Sequence, residues 1–419
     1  MTEPAGAAAD RYWPRQVEGL LTELMADVPA VMLVGPRGVG KSTTAARLAS
    51  TVVHLDREVE AAGFWADPDS ALAALATPVL LDEWQDVPAV LGAVKRAVDA
   101  GAPPGSFLLA GSVRAETHPA TWPGTGRVIR LRMYPLTVAE QLHRSPPPLV
   151  DRLLAGAPLA PAADPPDLRG YVESAIVGGF PEATLRVPPR SRRLWLQSYV
   201  EQILTQDVSP NDNGRGRDSE RLGRFLLAYA VNSAGVAADA TIFTAAGINR
   251  ATAVAYEALL TDLMVVDSLP AWTTNRLKRL TRLPKRHLVD TGLWAAIMGV
   301  DAPAVLRDGD LLGRSLESFV TAQLRAEAVV ATNPHKLFHL RTEQGRHEVD
   351  VVAEVGANRI VGVEVKASGA PTADAARHLV WLRDQLGARF AAGVVLHTGT
   401  AVYPLAPRIT AAPICALWA

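Results

Sequence analysis

Residues 30–42, AVMLVGPRGVGKS, decide the fold of the first part of the chain. The first five are apolar and predict a short buried strand, 30–34, and a helix is expected over 42–50. The residues between satisfy the GxxxxGK[ST] pattern, in which glycines let backbone N–H groups point at a phosphate chain. The residues expected to bind the nucleotide are Gly35, Pro36, Arg37, Gly38, Val39, Gly40, Lys41, Ser42 and Thr43.

The second part of the nucleotide site is an Asp-Glu pair after the apolar run 78–81. Lys41 is expected to reach the β- and γ-phosphates of ATP, while the Ser42 hydroxyl and Asp82 would hold Mg²⁺. Glu83 would act as the general base that polarises the attacking water. The sequence therefore predicts an ATPase that uses ATP and Mg²⁺, built on a parallel α/β sheet.

Another apolar run, 107–110, ends in Gly111-Ser112. It has the position of the strand that carries a polar sensor of the γ-phosphate, so Ser112 is the candidate sensor. A plain serine at the end of a strand is the alternative interpretation.

Composition excludes several classes of protein. The 419 residues have a net charge of −1, so any nucleic-acid partner must be met by a local patch. The single cysteine, Cys415, excludes a disulfide framework and a cysteine-based zinc site. The N-terminus does not resemble a signal peptide, and no apolar run is long enough for a membrane span. We expect a soluble cytoplasmic protein with no membrane partner.

Several segments in their order resemble the AAA-type ATPases of bacteria and archaea that are fused to a C-terminal restriction-endonuclease-like domain of unassigned role. The segments are GPRGVGKST, LLDEWQ, FLLAGS, GRVIRLRMYPLTVAE, GGFPE and YVEQILTQDV. The resemblance covers essentially the whole chain. It implies that Arg127 is an arginine finger that reaches γ-phosphate across a subunit interface, and therefore that the protein forms a homo-oligomer. The alternative interpretation of Arg127 is an ordinary surface arginine. Ser112 departs from the asparagine that is commonest in AAA sensors.

The middle of the chain predicts a winged helix. Helical patterns over 221–231, 240–247 and 250–263 include a short Gly-Ile-Asn turn at 247–249, and the strands of a wing are expected at 265–269 and 286–289. No acidic residue lies between Asp267 and Asp290, where basic residues accumulate beside Trp272. The expected DNA-binding residues are Arg250, Arg276, Lys278, Arg279, Arg282, Lys285 and Arg286. A wing that docks on a neighbouring domain, or a solvated charged face, would also account for them.

The last part of the chain carries the D…ExK arrangement of the PD-(D/E)xK nuclease fold. Asp350 lies in one predicted strand, and Glu364 and Lys366 lie on one face of the next. With Glu317 from the preceding helix, Asp350 and Glu364 would bind a metal, while Lys366 would stabilise the charge that develops during phosphodiester attack. The alternative is a fold kept for binding alone.

The expected domains are an ATPase core (1–145), a helical lid with a proline-rich linker (146–212), a winged-helix domain (213–300) and a nuclease-like domain (301–419). Together they predict an ATPase that binds and remodels DNA, including branched or junction DNA. The alternative is an ATP-dependent switch or scaffold whose C-terminal fold binds a protein partner and cuts nothing.

Overall fold

The computed structural model describes residues 12–111, 126–205, 219–342, 345–356 and 358–419. The chain divides into two compact units. The N-terminal unit is Trp13–Pro135 with the short segment Asp262–Met264, and the C-terminal unit contains Leu136–Thr261 and Val265–Ala419. Neither unit has, within the described ranges, a helix long and apolar enough to cross a membrane.

The N-terminal unit is built on a five-stranded parallel sheet. Its strands are β1 (Ala30–Val34), β2 (Thr51–His54), β3 (Val79–Asp82), β4 (Phe107–Ala110) and β5 (Ile129–Arg132), in the order β2-β3-β4-β1-β5. Its helices are Val17–Asp27, Lys41–Ala46, Glu58–Ala66, Pro68–Ala73 and Val90–Asp99. The predicted α/β class with a parallel sheet is confirmed.

Apolar strands explain why this sheet lies in the core. Every residue of β1, β3 and β4 is buried, and the helix Val90–Asp99 covers the sheet with Val90, Leu91 and Val94. All five strands are parallel, so their carboxyl ends meet at one edge of the sheet. The glycine-rich loop follows β1 at that edge, and Asp82 ends β3 there.

The C-terminal unit begins with helices. They are Val138–Gln141, Leu149–Leu154, Leu168–Val177, Pro189–Thr205, Ser219–Val231, Asp239–Ala245, Arg250–Asp262, Arg276–Arg279, Thr291–Met298, Ala302–Arg307, Gly309–Val330 and Arg377–Leu386. The buried Asp290 caps Thr291–Met298 by accepting a hydrogen bond from the N–H of Leu293 (2.9 Å). It also accepts one from the N–H of Gly179 (2.7 Å), so one carboxylate fixes the Gly-Gly-Phe-Pro turn.

The predicted wing strands are shorter than expected. Val266 pairs with Leu288 and Leu269 with Lys285 as isolated antiparallel bridges, and Gly235 pairs with Arg286. The segment then joins a sheet, because Ala271 forms a parallel bridge with His339. We call residues 265–289 the bridging segment, since its backbone links the three helices before it to the sheet that follows.

That sheet has six strands of mixed direction. They are β6 (His335–Arg341), β7 (Glu348–Val355), β8 (Arg359–Lys366), β9 (Phe390–His397), β10 (Tyr403–Ala406) and β11 (Ile409–Pro413), in the order β10-β11-β9-β8-β7-β6. The helix Gly309–Val330 packs against β6 and β8, and Arg377–Leu386 packs against β7, β8 and β9. Gly362 allows the second contact, since an added Cβ would lie 2.6 Å from Leu379 Cδ2.

Candidate functional site

The glycine-rich loop and the end of β3 lie together in the N-terminal unit. The Ser42 hydroxyl donates a hydrogen bond to Asp82 Oδ1 at 2.6 Å, so the two predicted magnesium ligands are in direct contact. Lys41 Nζ donates to the carbonyl oxygens of Gly35 and Pro36, each at 2.9 Å, which holds the ammonium over the loop. Burial lowers the pKa of Lys41 to about 8, against the opposing effect of Glu83 and Asp82.

Two of the glycines are required by the geometry of the loop. A Cβ on Gly35 would lie 2.2 Å from the carbonyl oxygen of Met133, so only glycine lets these two backbone segments approach so closely. Gly40 has φ of +94° immediately before the helix Lys41–Ala46. A side chain there would strain the turn that brings Lys41 and Ser42 into place.

Arg15 supports the loop from outside the motif. Its buried guanidinium donates to the carbonyl oxygen of Val39 (2.6 Å) and to that of Tyr134 (2.7 Å). Arg15 therefore ties the loop to the segment that follows β5. No sequence motif announces this residue, because its partners are backbone carbonyls 24 and 119 positions away.

The candidate general base has an unusual backbone conformation. Glu83 lies in the left-handed region, with φ of 49° and ψ of 45°, directly after the end of β3. Its carboxylate accepts a hydrogen bond from the Gln85 side chain. A left-handed conformation is uncommon for a residue with a Cβ and is found at functional sites where side-chain direction matters. The conformation and the Gln85 contact together fix the Glu83 side chain.

His54 is a further residue of the nucleotide site that no motif indicated. This residue ends β2, pairs in register with Asp82 of β3, and its Nδ1 lies 3.4 Å from Asp82 Oδ2. A signal for it was present, because polar residues at the carboxyl ends of neighbouring parallel strands meet at one edge. The histidine contacts the oxygen of Asp82 that Ser42 does not use.

Magnesium fits this group of residues. Ser42 and Asp82 present a hydroxyl and a carboxylate oxygen at the same point, and Mg²⁺ prefers oxygen ligands of this kind. Mg²⁺ usually takes one or two protein oxygens and completes its coordination with water and phosphate. The adjacent oxygens of Ser42 and Asp82 are therefore enough protein ligands for a Mg²⁺ ion that also binds ATP.

The other residues predicted for ATP binding and hydrolysis do not take part in these contacts or lie outside the described residues. Ser112 lies outside the described residues. Arg127 forms an ion pair with Asp99 of the same unit, and Arg37 and Thr43 are exposed on the loop and its helix. The predicted finger role of Arg127 is a statement about a second subunit and stays a prediction.

The second predicted constellation comes together in the C-terminal unit. Asp350 Oδ2 accepts a hydrogen bond from the N–H of Val365 (2.9 Å), so β7 and β8 bring Asp350 close to Glu364. Lys366 Nζ donates to Glu364 Oε2 at 2.7 Å. Burial raises the pKa of Glu364 to about 8, with a further contribution from the charge on Asp350.

Lys285, which was predicted to bind DNA, lies among carboxylates of the same cluster. Lys285 Nζ is 2.6 Å from Glu317, 3.2 Å from Glu348 and 3.4 Å from Asp350, and its side chain is fully buried. Burial alone would lower the pKa of Lys285, but the three carboxylates outweigh it and raise the pKa above its ordinary value.

The structure places a lysine within the metal site predicted at Glu317, Asp350 and Glu364, and that site stays a prediction. All three predicted ligands face an ammonium group: Glu317 and Asp350 face Lys285, and Glu364 faces Lys366. Among the residues that the structure describes, no three His, Cys, Asp or Glu side chains are arranged to hold a metal ion. In this structure the carboxylates of the cluster are paired with cations of the chain itself.

The structure places the members of the predicted DNA-binding cluster in different surroundings, and their role in DNA binding stays a prediction. Lys285 and Arg286 are buried, and Arg286 pairs with Asp239 while its guanidinium lies 5.8 Å from the Tyr229 ring. Arg279 forms a bidentate pair with Glu354. Lys285, Arg286 and Arg279 are thus each paired with a carboxylate of the chain. The predicted residues that remain exposed or half-exposed are Arg250, Arg276, Lys278 and Arg282.

Three family models match consecutive parts of the chain. Residues 27–142 match the model described as an AAA domain. Residues 168–304 match a domain of unknown function (DUF8612), and residues 312–417 match another (DUF4143). The AAA match contains the glycine-rich loop and the Asp-Glu pair.

Similar proteins are found among curated sequences and solved structures. An uncharacterized protein of Mycobacterium tuberculosis is 28% identical over 403 residues, which cover 95% of this chain and 83% of that protein. An uncharacterized protein of Mycobacterium bovis is similar to the same extent. A Walker-type ATPase of Pyrococcus abyssi has a TM-score of 0.43 at 13% identity, over 69% of this chain and 97% of that one. From the family match and the geometry of the loop, the N-terminal part of this chain is an AAA-type ATPase domain.

Proposed function

We propose that this protein is a Mg²⁺-dependent ATPase that binds and remodels DNA, and that it does so without a metal-dependent nuclease activity. The contact between Ser42 and Asp82 carries the ATPase proposal, because it places both magnesium ligands beside the glycine-rich loop. An arginine-lined cleft in the C-terminal unit, described below, carries the DNA proposal. The proposed Mg²⁺ site for ATP hydrolysis lies in the N-terminal unit, and no second metal site is proposed.

Each residue of the nucleotide site has a separate task. Lys41 would leave the carbonyls of Gly35 and Pro36 to bind the phosphates of ATP. When bound, Mg²⁺ would neutralise charge on the phosphate oxygens. Glu83, fixed by its backbone and by Gln85, would accept a proton from the attacking water.

ATP affinity is expected to depend on pH through Lys41. In the nucleotide-free protein the pKa of Lys41 is lowered to about 8, and bound phosphates would raise it by favouring the ammonium form. Below pH 8 the lysine is charged in both states, so affinity should vary little. Above pH 8 binding must take up a proton, so the Kd should rise about tenfold per pH unit.

Calorimetric titration with ATP between pH 7 and pH 9.5 measures this dependence. Lys41→Arg is the matched control, because a guanidinium does not titrate in this range and its Kd should stay level. A wild-type Kd that is constant to pH 9.5 would contradict the assigned role of Lys41.

The arginine cleft lies in the C-terminal unit, at the end of β6 and the start of β7. It is an open cleft of about 700 Å³, and its lining includes Trp272, Arg282, Arg341, Arg346, His347 and Trp381. The imidazole of His347 stacks on the Trp381 ring, with 4.2 Å between the centroids and 6° between the planes. Guanidinium groups bind phosphates and flat rings stack on bases, so the lining matches the two parts of a nucleotide chain.

Charge on the cleft is accessible. Arg341 and Arg346 are exposed, although Arg341 also lies 3.7 Å from Glu348. Arg282 donates to the carbonyl oxygen of Arg341 at 3.0 Å, which brings its guanidinium to the same cleft. Arg282 is therefore the residue of the predicted DNA-binding set that contributes to this surface.

DNA binding is expected to weaken when the cleft loses its charge. Arg341→Glu and Arg346→Glu should each lower the affinity for DNA of any sequence and reduce the slope of log K against log salt by about one. Fluorescence anisotropy with single-stranded, duplex and branched DNA measures both quantities. Arg359→Glu is the control, because Arg359 is an exposed arginine at the opposite end of β8 from Lys366 and should leave the slope unchanged.

An ATPase assay with the same DNA molecules completes the test. Remodelling requires that at least one DNA structure raises ATP turnover, and that Arg346→Glu reduces this stimulation. Wild-type protein that binds none of these DNA molecules in a salt-dependent manner would contradict the proposal.

A protein-binding switch is the second candidate. It is favoured by Leu277, Leu280 and Leu283, whose exposed fractions are 77%, 83% and 38%. Three exposed leucines within seven residues are better suited to an apolar partner surface than to phosphates. ATP turnover that is indifferent to every DNA structure would favour this candidate.

A further inference from the structure

The cation among the carboxylates of the C-terminal unit is part of the chain itself. Lys285 has three N–H donors, and three carboxylates surround them: Glu317, Glu348 and Asp350. Its side chain has no exposed area, so water cannot take the place of these partners. Lys285 is a buried ammonium that donates hydrogen bonds to Glu317 and Asp350 and forms an ion pair with Glu348.

The backbone holds Lys285 in this place. Its N–H and its carbonyl both form hydrogen bonds with Leu269, each at 2.8 Å. Next to Leu269, the carbonyl of Pro270 accepts from the N–H of His339 on β6 at 3.0 Å. The bridging segment is thus attached to the sheet beside the cluster, and Lys285 extends from it towards the carboxylates.

Several carboxylate oxygens of the cluster already have a partner within the chain. Asp350 uses Oδ2 for the N–H of Val365 and faces Lys285 with Oδ1. Glu364 uses Oε2 for Lys366, and its buried Oε1 has no hydrogen-bond partner among the described residues. A divalent cation would therefore have to displace Lys285 from the oxygens of Glu317, Glu348 and Asp350 that now face it.

We infer that Lys285 is the resident cation of this cluster and that it excludes Mg²⁺ and Mn²⁺ from the carboxylates Glu317, Asp350 and Glu364. A dication and an ammonium at the same oxygens repel each other at contact distance, so the buried Lys285 competes with a divalent metal for these carboxylates. In this chain the negative charge of the D…ExK carboxylates is balanced by buried lysine, not by a metal ion. This inference depends on neither ATP nor DNA binding.

Manganese binding tests the inference directly. Titrations use nucleotide-free full-length protein that carries Asp82→Asn, so that the nucleotide loop provides no site, and follow free Mn²⁺ by electron paramagnetic resonance. This protein should bind no Mn²⁺ through the cluster, and adding Asp350→Asn should change nothing. Adding Lys285→Met instead should create about one site per chain, which a further Asp350→Asn removes.

Two outcomes of this titration would overturn the inference. One is Mn²⁺ binding by the protein with an intact Lys285 that Asp350→Asn abolishes. The other is a folded Lys285→Met protein that binds no Mn²⁺.

Amine labelling keeps the test decisive if Lys285→Met does not fold. An acylating reagent followed by mass spectrometry should modify the exposed Lys278 and leave Lys285 unmodified at every Mn²⁺ concentration. Modification of Lys285 that increases with Mn²⁺ would show that the metal displaces the lysine, and would refute the inference.

Discussion

Glu83→Gln is expected to retain ATP and to lose hydrolysis by about 100-fold or more, because a general base contributes roughly 10²–10⁴-fold to such a step. The substitution keeps the size and the hydrogen-bonding ability of the side chain but removes its capacity to accept a proton from water. Lys41, Ser42 and Asp82 are untouched, so binding of Mg²⁺-ATP should remain.

The structure supplies a matched control for this prediction. Asp86→Asn removes an exposed carboxylate from the same short turn, three residues further on, and should hydrolyse ATP at nearly the wild-type rate. Single-turnover hydrolysis and equilibrium ATP binding together separate the two effects. Glu83→Gln protein that hydrolyses ATP at the wild-type rate would show that another group acts as the base.

Arg279→Glu is expected to destabilise the C-terminal unit by about 3–5 kcal/mol, the usual cost of breaking a buried ion pair. The guanidinium donates to both oxygens of Glu354, at 2.6 and 2.9 Å, and to the carbonyl of Thr273 at 2.6 Å. The two side chains are only 10% and 8% exposed. The arginine also lies over the rings of Trp272 and Phe338, at 5.3 and 5.0 Å from their centroids.

Acid should weaken the same pair in the wild-type protein. The hydrogen bonds from Arg279 lower the pKa of Glu354 in the folded state. A carboxylate with a lowered pKa stabilises the fold at neutral pH, and the contribution is lost as the pH falls through that pKa.

Urea denaturation measures the loss in Arg279→Glu, and two variants serve as its controls. Lys278→Glu changes an exposed neighbour and should cost no more than about 0.5 kcal/mol. Arg279→Glu combined with Glu354→Arg should recover part of the lost stability, because the pair is restored in reverse. Arg279→Glu protein that is fully stable but has a reduced salt dependence of DNA binding would return Arg279 to the phosphate-binding surface.

The glycine-rich loop and the two strands beside it could be predicted from sequence, because local rules specify them. An apolar run predicts β1 and β4 at their observed residues, 30–34 and 107–110. The loop between β1 and its helix must carry glycines wherever the backbone approaches closely or turns left-handed, as at Gly35 and Gly40. These backbone requirements show in the local sequence as glycines, so the motif is enough to predict the loop.

The supports of that site needed the tertiary structure. Arg15 binds carbonyl groups, which every residue has, so its own sequence context contains no sign of the contact. The left-handed backbone of Glu83 was also invisible, since no glycine marks the position.

The surroundings of the basic residues in the middle of the chain could not be predicted from sequence and follow from tertiary packing. By sequence Arg276, Lys278, Arg279 and Lys285 are equivalent members of one cluster. In the structure Arg276 and Lys278 are exposed. Lys285 pairs with Glu317, 32 residues away, and Arg279 pairs with Glu354, 75 residues away. A cation contacts phosphate or stabilises a core according to whether a carboxylate is folded against it, and that partner is chosen by the packing of the bridging segment on β6, which no local pattern encodes.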